Sequence, residues 1–219
     1  ARPRLSHNGE QHGSPTHPRR RPRRRAAEDV DAGVQGAQEM VKRLEGKDCW
    51  AAKTCVVLEL QGALTTPNGL DRSDGFAKTL AELAPDVELV QRPTEWTADM
   101  AADAAQNVLT QYPDLSGIFM ASELMATAIN AQLKAAGKDA AVGDAASVIR
   151  VAIDGTPQGL ELIRAGALDA TVSQPLGAYA TKTAELIELV SNGGTIDLGP
   201  RDDGQVIETA VGPQYQLKA

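Results

Sequence analysis

Arg150-Val151-Ala152-Ile153-Asp154-Gly155-Thr156-Pro157-Gln158-Gly159-Leu160 reads as a buried strand, a turn and the start of a helix. Residues 148–153 alternate too little for a half-exposed strand, so they belong inside a parallel sheet covered on both faces. Gly155 permits a sharp turn, Thr156 suits the helix cap and Pro157 suits the first helical position. Asp154 is then left at the carboxyl end of an interior strand, where open α/β sheets bind ligands. A carboxylate there does little for the fold. It is suited to accept hydrogen bonds from a polyhydroxylated small molecule.

Outward from this unit, strand followed by helix recurs five times. The pairs are 55–60 with 71–83, 87–90 with 98–110, 117–120 with 123–136, 148–153 with 158–165, and 170–173 with 178–190. Parallel strands need such crossovers, which predicts an α/β fold, a parallel sheet with helices on both faces. Upstream, Val34, Ala37, Val41 and Leu44 recur at helical spacing, and Gly46 ends that helix. Beyond Gly193-Gly194 the chain is loop-rich, with one further strand expected at 205–211.

The chain has 219 residues, 42% hydrophobic but only 3% aromatic, so its core is built of Ala, Val, Leu and Ile. Its net charge of −7 is unevenly spread: residues 1–25 hold eight Arg and one Glu, leaving 14 basic and 28 acidic residues in the rest. An acidic body argues against nucleic acid as partner. No apolar run approaches the roughly 20 residues of a membrane span. The first residues contain no apolar leader-like core. Cys49 and Cys55 are either two separate thiols or a local disulfide; the second would imply an oxidising compartment. No His lies near them, so no metal site is expected.

Residues 1–25, rich in Arg and Pro and nearly free of aliphatics, are expected to be a disordered tail. A basic nucleic-acid arm is the rival reading, and an out-of-frame or truncated start standing in for ordinary protein is a third.

The residues following each strand share one rim of a parallel sheet. They are Gln61-Gly62 with a loop to Asp71-Arg72, then Arg92-Pro93-Thr94-Glu95-Trp96, then Ser122-Glu123, Asp154 and Gln174. Trp96 can cover the C–H face of a sugar ring. Asp154 and Arg72 can each hold two adjacent hydroxyls, and Gln174 and Ser122 can donate and accept. Each has a plainer alternative. Asp154 can cap the next helix, Trp96 can be a loop core residue, and Arg72 can be an exposed charge paired with Asp71 or Asp74. Ser122 can be a helix N-cap, and Glu123 can complement the dipole of the helix it opens.

Nothing in the body marks catalysis. All three histidines (His7, His12 and His17) lie in the first 25 residues, so the commonest general base is absent from the rest. No Gly-x-Ser-x-Gly elbow or Walker loop occurs, and no cofactor is expected.

Seven segments together resemble the periplasmic sugar-binding proteins of ABC importers, the ribose-binding-like group with the type I fold. They are Glu59-Leu60-Gln61-Gly62, residues 71–76 (Asp-Arg-Ser-Asp-Gly-Phe), Glu95-Trp96 with residues 105–109 (Ala-Gln-Asn-Val-Leu), Tyr112-Pro113-Asp114-Leu115, residues 122–126 (Ser-Glu-Leu-Met-Ala), residues 153–157 (Ile-Asp-Gly-Thr-Pro) and residues 170–174 (Ala-Thr-Val-Ser-Gln). The resemblance runs from about residue 27 to 194. It implies that Asp154 and Gln174 bind sugar hydroxyls and that Trp96 stacks on the ring. Ser122 stands where many members carry Asn, and Ile153 where ribose binders carry an aromatic. The family's guanidinium in the first loop aligns nearer Leu70 than Arg72.

The resemblance further implies two hinged lobes that close on the ligand. Residues 26–174 would be one complete ligand-binding α/β lobe, and 175–219 would return to a first lobe only partly present. Helix 178–190 would then show an exposed apolar face. The implied function is non-catalytic binding of a monosaccharide or related polyol outside the cytoplasm and its delivery to a membrane ABC permease. The alternatives are the effector-binding domain of a LacI-type regulator, which shares the fold, and a sugar-modifying enzyme.

Overall fold

A computed structural model of the chain describes residues 27–196, 204–209 and 212–217. Residues 1–25 lie outside the described residues. In order, the elements are α1 (Ala27–Leu44), α2 (Asp48–Ala52), β1 (Val56–Gln61), α3 (Pro67–Leu83), β2 (Glu88–Pro93), α4 (Ala98–Gln111), β3 (Gly117–Met120), a 3-10 turn (Glu123–Met125) leading into α5 (Ala126–Ala135), β4 (Ile149–Asp154), α6 (Pro157–Arg164), β5 (Ala170–Ser173), α7 (Leu176–Ser191), β6 (Gly204–Thr209) and β7 (Gly212–Leu217).

Strands β1 to β5 form one sheet in the order β2-β1-β3-β4-β5, every pairing parallel. The expected strand at 148–153 is β4, interior between β3 and β5. The chain leaves β1 towards β2 and returns on the other side of β1 with β3. That reversal opens a crevice at the carboxyl ends of β1 and β3, where ligands bind in open α/β sheets.

Local signals explain the helix starts. Thr97 and Thr156 cap α4 and α6, accepting from the backbone N–H of Met100 and Gly159, and Pro157 opens α6 as expected. Helix α3 begins four residues before the expected 71, because Thr66 accepts from the Gly69 N–H and Pro67 fits the first turn. Asp71 and Arg72 therefore lie in the second turn of the helix rather than at its start.

The sheet is covered on both faces. Helices α1 and α3 enclose Met40, Leu44, Val57, Phe76, Phe119 and Val151 on one side. Helices α4 and α5 enclose Leu58, Leu60, Ile118, Met120, Ile129 and Leu133 on the other. Successive residues of β1 alternate between these layers, as a pleated strand requires. The chain's two phenylalanines, Phe76 and Phe119, stack with centroids 3.9 Å apart and planes 5° from parallel. Helices α1 and α3 approach to backbone contact. A Cβ at Gly33 would lie 2.1 Å from the Arg72 carbonyl oxygen, and one at Gly75 would lie 2.2 Å from that of Val30. Only residues without a side chain allow this crossing, and it carries Asp29 to Arg72.

At the amino end of the sheet, Cys49 and Cys55 form a disulfide that ties α2 to the residue before β1. Helix α7 buries none of its residues. Leu176, Ile187 and Val190 are half or more exposed, with Ile187 at 62%. Strands β6 and β7 pair as an antiparallel hairpin. The single strand expected at 205–211 is thus corrected to two, with Thr209 of β6 paired with Gly212 of β7. No described helix is long and apolar enough to cross a membrane.

Candidate functional site

Asp154 ends β4 with its carboxylate facing the crevice, and donors from three other elements converge on it. Oδ1 accepts from Gln174 Nε2 at 2.7 Å and Arg72 Nη1 at 3.4 Å. Oδ2 accepts from Ser122 Oγ at 2.7 Å and the Glu123 N–H at 3.3 Å. A carboxylate has about four lone-pair sites, so the set is complete, with two short bonds and two long ones. The long pair comprises the contacts that ligand hydroxyls can most cheaply share or replace.

Arg72 is the buried member. Its Nε donates to Asp29 Oδ1 at 2.9 Å and its Nη1 to the Ala121 carbonyl at 2.7 Å. Its side chain is 6% exposed against 17% for Asp154, so Arg72 backs the site while Asp154 faces outward. The guanidinium carbon lies 5.6 Å from the Trp96 ring centroid, within cation–π range. Trp96 lies over Gly62, where an added Cβ would fall 2.2 Å from the ring. Both Glu95 and Trp96 have positive φ, 49° and 63°, a tight turn that delivers the ring to the rim.

All five sequence-predicted residues, Asp154, Gln174, Trp96, Ser122 and Arg72, therefore meet in one linked group. Two plainer readings are corrected, and the reading of Ser122 as an N-cap holds beside its contact with Asp154. Arg72 is not an exposed charge paired with Asp71 or Asp74; it is buried between Asp29 and Asp154. Asp154 does not cap the next helix, because Thr156 does. Ser122 both caps the 3-10 turn, accepting from the Leu124 N–H, and donates to Asp154. Trp96 combines its two readings, since it is partly buried against the core and also borders the rim.

The Asp154 backbone is strained, with φ at 143°. Such a conformation costs a non-glycine residue about 1–3 kcal/mol and persists only where neighbours impose it. Glu123 supplies that constraint. Its side chain does not turn back on its own helix, as its position in the first turn suggests. It crosses to the β4–α6 turn and accepts from the backbone N–H of Gly155 and of Thr156, each at 2.9 Å. It also accepts from the hydroxyls of Thr156 and Thr171. The carboxylate thus sits at the amino terminus of α6, favoured by that helix's dipole. Space for it exists because residue 159 is glycine; a Cβ there would lie 2.1 Å from the Glu123 carboxyl carbon. Gly155 itself has φ of 75°, so the turn needs a residue without Cβ.

Beneath the rim lies a buried acid. Glu59 of β1 is fully buried; Gln91 Nε2 donates to its Oε2 at 2.8 Å, and its Oε1 has no hydrogen-bond partner. Burial pushes its carboxyl up to about 7, against the opposing pull of the Gln91 hydrogen bond. Next to it, Gln61 Nε2 donates to Ser73 Oγ at 2.7 Å, closing the floor with neutral groups.

Sequence reasoning missed Asp29, Thr171, the seat that Gly62 provides for Trp96, and the partner of Glu123. A glycine directly after a strand at a binding rim signals close approach and marked Gly62. Nothing local marked Asp29, whose partner lies 43 residues away. Among the described residues no cluster of His, Cys, Asp and Glu is arranged to hold a metal ion.

Comparison with known proteins agrees with this architecture. A family model described as a periplasmic binding protein domain matches residues 26–195. The ribose import binding protein of Salmonella typhimurium is 31% identical over 143 residues, which cover 65% of this chain and 46% of that protein. The D-allose-binding periplasmic protein of Escherichia coli is 24% identical over 183 residues, 83% of this chain and 55% of that one. An ABC transporter periplasmic solute binding protein from Actinobacillus succinogenes, solved with bound D-allose, superposes with a TM-score of 0.65 at 25% identity, covering 77% of this chain and 56% of that chain. The chain therefore spans about half the length of the curated relatives it matches. With its five-stranded parallel sheet and its rim of convergent polar side chains, the chain belongs to the periplasmic binding protein domain family, in the type I fold.

Proposed function

We propose that the chain binds a neutral monosaccharide or related polyol at the carboxyl rim of its sheet, without chemistry, as part of an ABC import system. One observation carries the reading: Asp154, Gln174, Ser122 and Arg72 form a single hydrogen-bonded group at the switch point, with the Trp96 ring beside it. The hydrogen-bonding groups suit adjacent hydroxyls, and the ring suits the C–H face of a sugar. The charges point to a neutral ligand. One guanidinium stands between the carboxylates of Asp29 and Asp154, which disfavours a phosphorylated or acidic sugar.

Relatives named for ribose and D-allose import support the substrate class. The Cys49–Cys55 disulfide supports an oxidising, extracytoplasmic location. It also weighs against the LacI-type effector domain, a cytosolic role. Residues 26–174 would then be one ligand-binding lobe. The exposed apolar side of α7 suits a helix whose neighbours lie in a second lobe, to which 175–219 belongs. A membrane permease is the partner this role requires.

The test is a titration of the nitrogen-15-labelled chain with D-ribose and D-allose, with ribose 5-phosphate alongside. The Trp96 indole and Gln174 side-chain amide signals are expected to move with a neutral sugar at millimolar concentration and not with the phosphate. Unmoved signals with every neutral sugar would refute the proposal.

A further inference from the structure

We infer that Glu123 is a positioning residue that sets Asp154 in its binding geometry before any ligand arrives. The inference rests on the sugar-binding reading for its purpose, but its geometry stands without it. Glu123 touches Asp154 from two directions. Its backbone N–H donates to Asp154 Oδ2, beside the shorter bond from Ser122 Oγ. Its carboxylate accepts from Gly155 and Thr156, the two N–H groups that directly follow Asp154 in the chain. One residue thus holds both the side chain of Asp154 and the peptides that fix its positive φ.

The chemistry of the clamp is specific to a carboxylate. Every group facing it is a donor: two backbone N–H groups and the hydroxyls of Thr156 and Thr171. Thr156 can give its proton to Glu123 because its oxygen accepts from the Gly159 N–H at 3.1 Å. Each carboxylate oxygen takes one backbone N–H and one hydroxyl, so an amide at position 123 would turn an N–H₂ towards one such pair of donors and break half the set. Glu123 is itself buried, and burying a carboxylate only to close a turn is costly when a neutral side chain would serve. Holding a strained aspartate outward accounts for that expense. Without the clamp, Asp154 relaxes to ordinary extended backbone, and its carboxylate leaves Ser122 and Gln174.

A double-mutant cycle on the full chain separates positioning from mere support. The variants are Glu123→Gln, Asp154→Asn and their combination, with Thr171→Val as a milder lesion should Glu123→Gln fail to fold. The first readout needs no ligand. The Gln174 side-chain amide signal, set by its bond to Asp154, is expected to shift in Glu123→Gln and, less, in Thr171→Val. Adding Glu123→Gln to Asp154→Asn is expected to shift it no further. The second readout is D-ribose affinity, expected to fall roughly tenfold in Glu123→Gln and not to fall again in the Asp154→Asn background. A lowered melting temperature with an unmoved Gln174 signal, or equal affinity losses in both backgrounds, would overturn the inference. Absence of D-ribose binding by the unmodified chain would count against the sugar reading alone, and the Gln174 signal would still decide the role of Glu123.

Discussion

Strand β4 carries a charged side chain near each end, and the two are used in opposite ways. At the amino end, Arg150 is buried. It donates to Asn130 Oδ1 at 3.1 Å and to the Ala140 carbonyl at 3.3 Å, and its Nε lies 3.8 Å from Asp169 Oδ2. Asp169 in turn accepts from the Arg150 N–H at 2.8 Å, and Arg43 lies beside it. Close by, the Lys47 ammonium donates to the carbonyls of Asp144, Ala145 and Ser147 and gathers the loop before β4. Arg150 has no positive φ, so its backbone is unstrained. At the carboxyl end, the Asp154 carboxylate accepts four hydrogen bonds, where the Arg150 guanidinium donates two, yet Asp154 sits in strained backbone and stays partly exposed. Counting hydrogen bonds does not separate a structural charge from a binding one. Strain and exposure do, because a fold has no reason to hold a relaxed side chain in an unfavourable backbone state.

The comparison can be broken most forcefully at its structural end. Arg150→Met leaves Asp169 and the Asn130 carbonyl short of partners in the interior. It should cost about 3 kcal/mol or more in urea unfolding, with sugar-induced signals at Trp96 unchanged. A loss below 1 kcal/mol would remove the contrast.

The buried acid of β1 sharpens the picture through pH. The carboxyl of Glu59 has its folded-state value raised to about 7 from 4.5, so the folded protein binds its proton more tightly than the unfolded chain does. Its contribution to stability is fully present below about 4.5 and is lost as pH rises through about 7. The loss is on the order of 3 kcal/mol. Urea midpoints should fall across that window, and Glu59→Gln should flatten the fall. An unaltered slope in the variant would assign the pH dependence elsewhere.

At the binding end the expected stability effect is smaller and its sign informative. Asp154→Gly relieves the strained φ while freeing Arg72, Ser122 and Gln174 to meet water. Its unfolding free energy should stay within about 1 kcal/mol of the parent chain. Binding of D-ribose should be abolished. A large stability loss would make Asp154 as structural as Arg150. Smallest of all is the effect expected at α7: Ile187→Ser should change stability by less than about 0.5 kcal/mol, because that side chain is already exposed. A loss above 2 kcal/mol would mean that α7 packs against the body in solution.

Much of this was legible from residue order. The five strand–helix units stand within a few residues of their expected limits. The clearest displacement is the early start of α3, set by the Thr66-Pro67 cap. The rim residues were legible because parallel strands all end on the same edge, so the residue after each strand must lie there. The hairpin of β6 and β7 reads as one strand in the sequence, because β-favouring residues recur from Val206 to Val211 without a Gly or Pro break.

What the sequence determined by itself is the alternation of strand and helix, the Thr156-Pro157 start of α6, and the placing of Asp154, Ser122, Trp96 and Gln174 at strand ends. These arise from local periodicity and turn chemistry, which act over a few residues. Tertiary structure alone decided that Arg72 lies between Asp29 and Asp154, that Trp96 seats on Gly62, and that Glu123 clamps the turn after Asp154. Each joins groups some 30 to 80 positions apart. Such pairs are selected by helix packing and sheet order, and no short stretch of chain encodes which distant donor will meet a given carboxylate.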